Sequence, residues 1–252
     1  MISDSNHIAE LQQQITSLKA QIQEQDFVLS KSLHNLKNLL TRVIGCDQYI
    51  MSVHEDTFSE LENKLMVEAD ESSFFMNDLF DALNILLQLR RQTLVIKPLH
   101  MEQIVPNVHS QLQEAITAAD AQITYPLSWP IVTGHPFFVE KVWYVLLDNA
   151  LKYSGTTPYI IIRAEQLPGD KLARFSVRDS GVGLTQEQQA LMFTPFPRIQ
   201  TQNPNAGGLG LYIARLIVEQ LGGTISVESM PEYGSTFSFT LPLVKPASDS
   251  SG

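Results

Sequence analysis

The sequence predicts an α+β chain in two parts, a helical N-terminal third and a two-layer α/β domain after it. Two observations carry this. Up to about residue 92, apolar residues recur at alternating steps of three and four, the period of a helix buried on one side. Beyond residue 98 the texture changes to short β-branched runs separated by helical stretches and glycine turns. The chain has 252 residues, 44% of them apolar, enough to bury a substantial core.

Residues 7–50 read as one long helix. Ile8, Leu11, Ile15, Leu18, Ile22, Gln25 and Leu29 form a heptad seam, which predicts a left-handed coiled coil. Leu29, Leu33, Leu36, Leu40 and Val43 continue an apolar face after a four-residue step. Residues 46–57 are expected to turn the chain. A second helix is expected over 58–92, with Leu61, Leu65, Glu68, Ser72, Phe75, Leu79, Ala82, Leu86 and Leu89 on its seam. Two antiparallel helices make a hairpin, and two hairpins from two chains make a four-helix bundle. Gln92 to His100 reads as a linker, because Pro98 and the polar residues before it break the repeat.

In the second part, helices are expected over 101–119, Pro136–Tyr153 and Leu209–Gln220, with short extended segments in 121–133. Strands are expected at Tyr159–Arg163, Leu172–Val177, Thr224–Val227 and Thr236–Leu241. The Ser/Pro/Asp/Gly-rich tail from Lys245 is expected to be disordered.

Net charge is −10, which argues against nucleic acid or an anionic membrane as the main partner. The one cysteine, Cys46, excludes internal disulfides and thiolate metal clusters. No apolar run is long enough for a membrane span and the N-terminus lacks signal-peptide features, so a cytoplasmic setting is expected.

His34 sits one residue off the apolar seam, so its imidazole should face solvent, where a ring nitrogen with a free lone pair can act as a nucleophile. More than a hundred residues later come four clusters. In Leu147-Asp148-Asn149-Ala150-Leu151-Lys152-Tyr153, Asn149 and Lys152 share a helix face; an amide oxygen can ligate a hard cation and a lysine can neutralise phosphate. In Val177-Arg178-Asp179-Ser180-Gly181-Val182-Gly183, a carboxylate at a strand end can accept from an exocyclic amine such as that of adenine, and the glycines allow close backbone approach. Met192-Phe193-Thr194-Pro195-Phe196-Pro197-Arg198 follows. Ala206-Gly207-Gly208-Leu209-Gly210-Leu211 then leads into a helix whose free amides suit phosphate. Gly234-Ser235-Thr236-Phe237 closes the set.

In this order the clusters resemble the N, G1, F and G2 boxes of the ATP-binding domain of sensor histidine kinases. That domain belongs to the superfamily shared with gyrase, heat-shock chaperone and mismatch-repair ATPases. The helical part is similar to the dimerisation and phosphotransfer hairpin of the same kinases. The resemblance implies a dimeric four-helix bundle followed by a two-layer ATP-binding domain of the GHKL (Bergerat) type. It divides the chain into a coiled-coil extension (1–26), the hairpin (27–92), a linker (93–97), the catalytic domain (98–243) and a tail (244–252).

The resemblance also implies the chemistry. His34 would take the γ-phosphoryl of ATP and pass it to an aspartate on a response-regulator receiver domain, and Asn38 would orient water for the reverse hydrolysis. Asn149 would help hold Mg²⁺. Lys152, Tyr153, Asp179, Gly181, Gly183, Arg198, Gly208, Leu209, Gly210 and Thr236 would bind the nucleotide, Asp179 reading the adenine amine and Arg198 meeting the γ-phosphate. Residues 197–207 would form the ATP lid. The chain would be a homodimer, with input from a separate sensory protein or through the coiled coil.

Five residues depart from the family pattern. Asn35 stands where an Asp or Glu usually accepts the histidine's proton, and an amide cannot serve as a base. Leu39 and Leu40 stand where a proline is usual. Val145 replaces a polar residue one turn before Asn149, and Ala206 replaces the first glycine of the G2 box. These departures keep a second reading open, a phosphotransfer or phosphatase adaptor with a weakened ATP site.

Overall fold

The computed structural model describes residues 2–54, 58–91, 94–155, 157–169, 171–195 and 209–244. The chain divides into two compact units, Met1–Thr93 and Leu94–Gly252.

The first unit is a helical hairpin of α1 (Ile2–His54) and α2 (Glu60–Arg91). α1 runs eight residues past the expected turn at Cys46, because nothing from Cys46 to His54 is proline and Gly45 is tolerated inside a helix. α2 starts at a capping box. The Ser59 amide donates to Glu62 Oε2 at 2.8 Å, and the Glu62 amide donates back to Ser59 Oγ at 3.3 Å. The Ser59 hydroxyl, which donates to the same carboxylate oxygen at 2.6 Å, and the Ser59 amide hold the Glu62 carboxyl below its ordinary pKa. Leu33 and Leu40 are buried, as are Ser73, Ala82, Ile85 and Leu87 on α2. Lys37 and Asp81 form an ion pair between the helices.

The sequence seam is only half covered. Leu29, Leu36 and Val43 are exposed, and so are Leu11, Ile15, Leu18 and Ile22 before them. On α2, Leu61 and Leu65 are exposed too. Two helices meet along one line, so seam residues directed to either side of it stay open in a single chain.

The second unit is a two-layer α/β sandwich. Its elements are β1 (Lys97–Leu99), α3 (Met101–Gln111), α4 (Gln113–Ala118), β2 (Gln122–Thr124), β3 (Val132–Gly134), α5 (Pro136–Tyr153), β4 (Tyr159–Gln166), β5 (Leu172–Arg178), α6 (Gln186–Leu191), α7 (Gly210–Gln220), β6 (Ile225–Ser229) and β7 (Ser235–Pro242). The main sheet has the order β2-β4-β5-β7-β6, with β2 parallel to β4 and the other pairs antiparallel. Strand alternation turns Ile160 and Ile162, Ala173, Phe175 and Val177, and Phe237, Phe239 and Leu241 inward. There they meet the apolar faces of α5 and α7, with Trp143 of α5 edge-on to both Phe175 and Phe239.

Several expectations need correction. Lys97–Leu99 is not linker but a strand paired antiparallel with β3, where Pro98 is tolerated because the two-stranded sheet leaves an open edge. The helix expected over 101–119 breaks at Leu112 into α3 and α4. α6 was not expected; the Thr185–Gln188 capping box that starts it is legible in the sequence. Val244 does not belong to the tail, because its amide donates to the Ile131 carbonyl at 3.2 Å. The tail from Lys245 lies outside the described residues.

Candidate nucleotide site and phosphoacceptor histidine

In the second unit the site is built around Asp179, the first residue after β5. Its amide continues the ladder to the Ser235 carbonyl at 2.8 Å. Its side chain therefore turns to the helical side of the sheet, where it is 5% exposed. Oδ1 accepts the Gly181 amide at 2.8 Å and the Ser235 amide at 3.1 Å, which leaves Oδ2 for a further donor. Burial raises the carboxyl's pKa, opposed by these amides and the Arg178 charge.

Two glycines shape the turn that follows. A Cβ at Gly181 would lie 2.2 Å from the Tyr153 carbonyl, so α5 and the turn are in backbone contact. Gly183 has φ +69°, and a Cβ there would lie 2.0 Å from the Met230 carbonyl. The tip of the β6–β7 hairpin is thus pressed on the turn, and the Glu232 amide donates to the Val182 carbonyl at 2.7 Å. Ser229 Oγ accepts from the Leu184 amide and donates to the Gly234 carbonyl, each at 2.8 Å.

On α5, Asn149 and Tyr153 are half-buried. Burial is the main cause that raises the Tyr153 phenol's pKa. Lys152 donates to Asp148 Oδ2 at 2.7 Å on the exposed face of the helix. One turn before Asn149, Val145 is buried, and a Cβ at Gly210 would lie 3.3 Å from its Cγ1. The N-terminus of α7 therefore packs on α5 at this level. Leu209 is its N-cap, with no side-chain capping bond, so the first amides of α7 are not closed off by their own cap.

The structure thus gathers Asp179, Gly181, Gly183, Tyr153 and Gly210 into one neighbourhood, with Asn149 on the α5 turn between Val145 and Tyr153. Thr236 is not part of it. It pairs with Arg178 in the ladder and so lies on the opposite face of the sheet from Asp179. Ser235, missed in the sequence reading, takes its place through its amide; the alternation that buries Phe237 and Phe239 places Ser235 inward. Arg198, Ala206, Gly208 and the expected lid over 197–207 lie outside the described residues.

The histidine is in the first unit. His34 is exposed, beside buried Leu33, and its Nδ1 lies 3.4 Å from Asn38 Nδ2. Asn35 and Leu39 are exposed, and Leu40 is buried in the hairpin. Among the described residues no helix is long and apolar enough to cross a membrane.

Residues 134–245 match the family described as Histidine kinase-, DNA gyrase B-, and HSP90-like ATPase. The chain is 30% identical over 237 residues to the adaptive-response sensory kinase SasA of Synechocystis, covering 90% of this chain and 62% of that protein. It is 28% identical over 246 residues to cyanobacterial phytochrome A of Nostoc, covering 96% of this chain and 31% of that protein. The chain thus spans less than two thirds of the length of these relatives. Among solved structures, full-length ShkA in complex with AMPPNP superposes with a TM-score of 0.64 at 20% identity, covering 89% of this chain and 47% of that one. Acinetobacter baumannii histidine kinase AdeS gives 0.57 at 19% identity, covering 84% and 98%. A domain of the Histidine kinase-, DNA gyrase B-, and HSP90-like ATPase family thus follows a helical hairpin in this chain, and over most of its length the chain is similar to histidine kinases.

Proposed function

We propose that the chain is an ATP-dependent protein-histidine kinase of a two-component system. His34 takes the γ-phosphoryl of ATP and yields it to an aspartate of a response-regulator receiver domain, and Asn38 assists the reverse hydrolysis. The observation that carries this reading is the exposure of the His34 ring on a rigid helix, in a chain that also holds the Asp179 pocket.

Asp179 Oδ2 accepts from the adenine amine, while Gly181 and Gly183 keep the turn close enough for the base. The open amides at Leu209 and Gly210, with Gly208 before them, face phosphate. The exposed Lys152 exchanges its half-buried partner Asp148 for phosphate oxygen. Arg198 meets the γ-phosphate. The amide oxygen of Asn149 suits Mg²⁺, a hard cation that keeps several waters and takes its other ligands from phosphate. When bound, Mg²⁺ neutralises charge on the transferring group.

The open stripe on α1 pairs with a second copy, giving a homodimer with a parallel coiled coil, with input from a separate sensory protein or through the coiled coil. Dependence on ATP and on a regulator fits a cytoplasmic setting. The test is incubation with γ-labelled ATP, which should give acid-labile, base-stable label that disappears in His34→Gln. ATP binding without label overturns the reading.

A second reading, a phosphotransfer or phosphatase adaptor, is favoured by Asn35 and by Val145, whose side chain packs on Gly210 and offers no ligand. It predicts weak nucleotide binding with phosphoryl exchange intact. Tight Mg²⁺-ATP binding in calorimetry counts against it.

A further inference from the structure

Away from the nucleotide site, the second unit holds a cavity of about 410 Å³ between α3 and the segment that joins β2 to β3. That is the size of a small-ligand pocket. Glu102, Val105, Pro106 and His109 line one wall, because residues three, four and seven apart share a helix face. Tyr125 and Trp129 line the other. None of the residues around Asp179 borders it. Trp129 packs against Trp143 of α5, and Tyr153 lies about 15 Å further along that helix at its usual rise per residue.

The walls are aromatic and the rim is acidic. Trp129 stacks on Phe175 with ring centroids 6.3 Å apart and meets Trp143 edge-on at 5.8 Å, so the core covers one face of the indole and the other is left to the cavity. The Tyr125 hydroxyl is hydrogen-bonded to His109 Nδ1, which holds both rings in place. Burial raises the pKa of the Tyr125 phenol, so it keeps its proton. Glu102 stands on the rim, with Oε1 3.3 Å from His100 Nδ1; among the described residues no lysine or arginine pairs with it. Pro106 has no N–H, so the Glu102 carbonyl lacks the donor that a helix supplies four residues on, which leaves a second negative end on the same wall.

We propose that this cavity binds a small organic cation with a methylated ammonium head, held against the rings of Trp129 and Tyr125 and drawn in by Glu102. A cation over an indole or phenol face is attracted by the ring's quadrupole, and a quaternary head has no N–H to leave unsatisfied against such walls. A neutral apolar ligand gains nothing from the carboxylate, and an anion is repelled by it in a chain of net charge −10. The site is a binding site, with no bond made or broken in it. It stands apart from the nucleotide pocket and does not depend on the kinase reading.

The test uses the whole chain and choline, titrated at about pH 8, where an ordinary imidazole is neutral and does not repel the probe. Binding is read by saturation transfer to the choline methyl signal. Choline should bind saturably, and its neutral carbon isostere dimethylbutanol at least about fivefold more weakly. Trp129→Leu keeps apolar bulk but removes the ring, and should weaken choline roughly fivefold to thirtyfold. Glu102→Gln, on the exposed rim, should leave Tm unchanged and weaken choline about threefold. Equal affinity for choline and dimethylbutanol overturns the proposal, as does the absence of saturable choline binding to the wild type or an unchanged affinity in a folded Trp129→Leu. If Trp129→Leu unfolds, Glu102→Gln and the isostere still decide. Neither nucleotide binding nor label on His34 enters the readout, so failure of the kinase reading leaves this site standing.

Discussion

The backbone amide of Ser235 donates to Asp179 Oδ1 at 3.1 Å across the junction of β5 and β7. With Gly181 on the same oxygen, the carboxylate is fixed in orientation before any ligand arrives. Asp179→Asn keeps the shape, but its oxygen is drawn to the two amides and its NH₂ is turned to the pocket, donor against the adenine donor. Nucleotide affinity should fall roughly tenfold to a hundredfold, the range for a hydrogen bond to a charged group. Calorimetric titration of wild type and variant checks this.

The pKa of Asp179 is raised, chiefly by burial. The folded chain therefore keeps a proton there at pH values where the unfolded chain has lost it. This group's contribution to stability falls as pH rises through that window, from the ordinary carboxylate range to the raised value. A ligand that needs the carboxylate behaves in the opposite sense. Nucleotide binding should weaken as pH drops, beginning at a higher pH than for an ordinary aspartate. Asp179→Asn should flatten that limb of the pH profile.

Gly183 and Gly45 should respond oppositely to alanine. At Gly183 the left-handed φ and the Met230 carbonyl leave no place for a methyl. Gly183→Ala should cost about 2–4 kcal/mol or dislodge the turn, seen as a lower Tm and lost nucleotide binding. At Gly45 nothing lies within 4 Å of the added carbon. Gly45→Ala should stabilise α1 by about 1 kcal/mol through helix propensity.

The open seam of α1 gives a covalent test of dimerisation. In a Cys46→Ser background, Ile22→Cys should form a disulfide-linked dimer on mild oxidation, because its exposed position lies on the heptad stripe. Glu24→Cys, off the stripe, should stay largely monomeric on denaturing gels. Equal cross-linking of the two would argue against a parallel pair.

Where periodicity was unbroken, the sequence was a good guide. The bounds of α5 are those expected, and β4, β5 and α7 were found with ends within a few residues. Pro98 misled, because proline is a breaker in a helix yet harmless on an edge strand. Leu36 and Val43 were read as part of one apolar helix face, and their exposure reflects a face that one chain cannot cover alone. At the site, Asp179 and its glycines were legible because strand end and turn are local. Thr236 was misplaced because its role was taken from a motif and not from strand parity, which puts Ser235 inside.

The tip at Met230–Gly234 looks like a disposable surface turn, the kind of place that usually accepts insertions. Its carbonyl nevertheless seats Gly183, and its amide at Glu232 pins Val182. Lengthening that tip would therefore be felt as a change in ligand affinity, although no residue inserted there would touch the ligand. Engineers seeking a tolerant graft point in this half of the chain should look elsewhere.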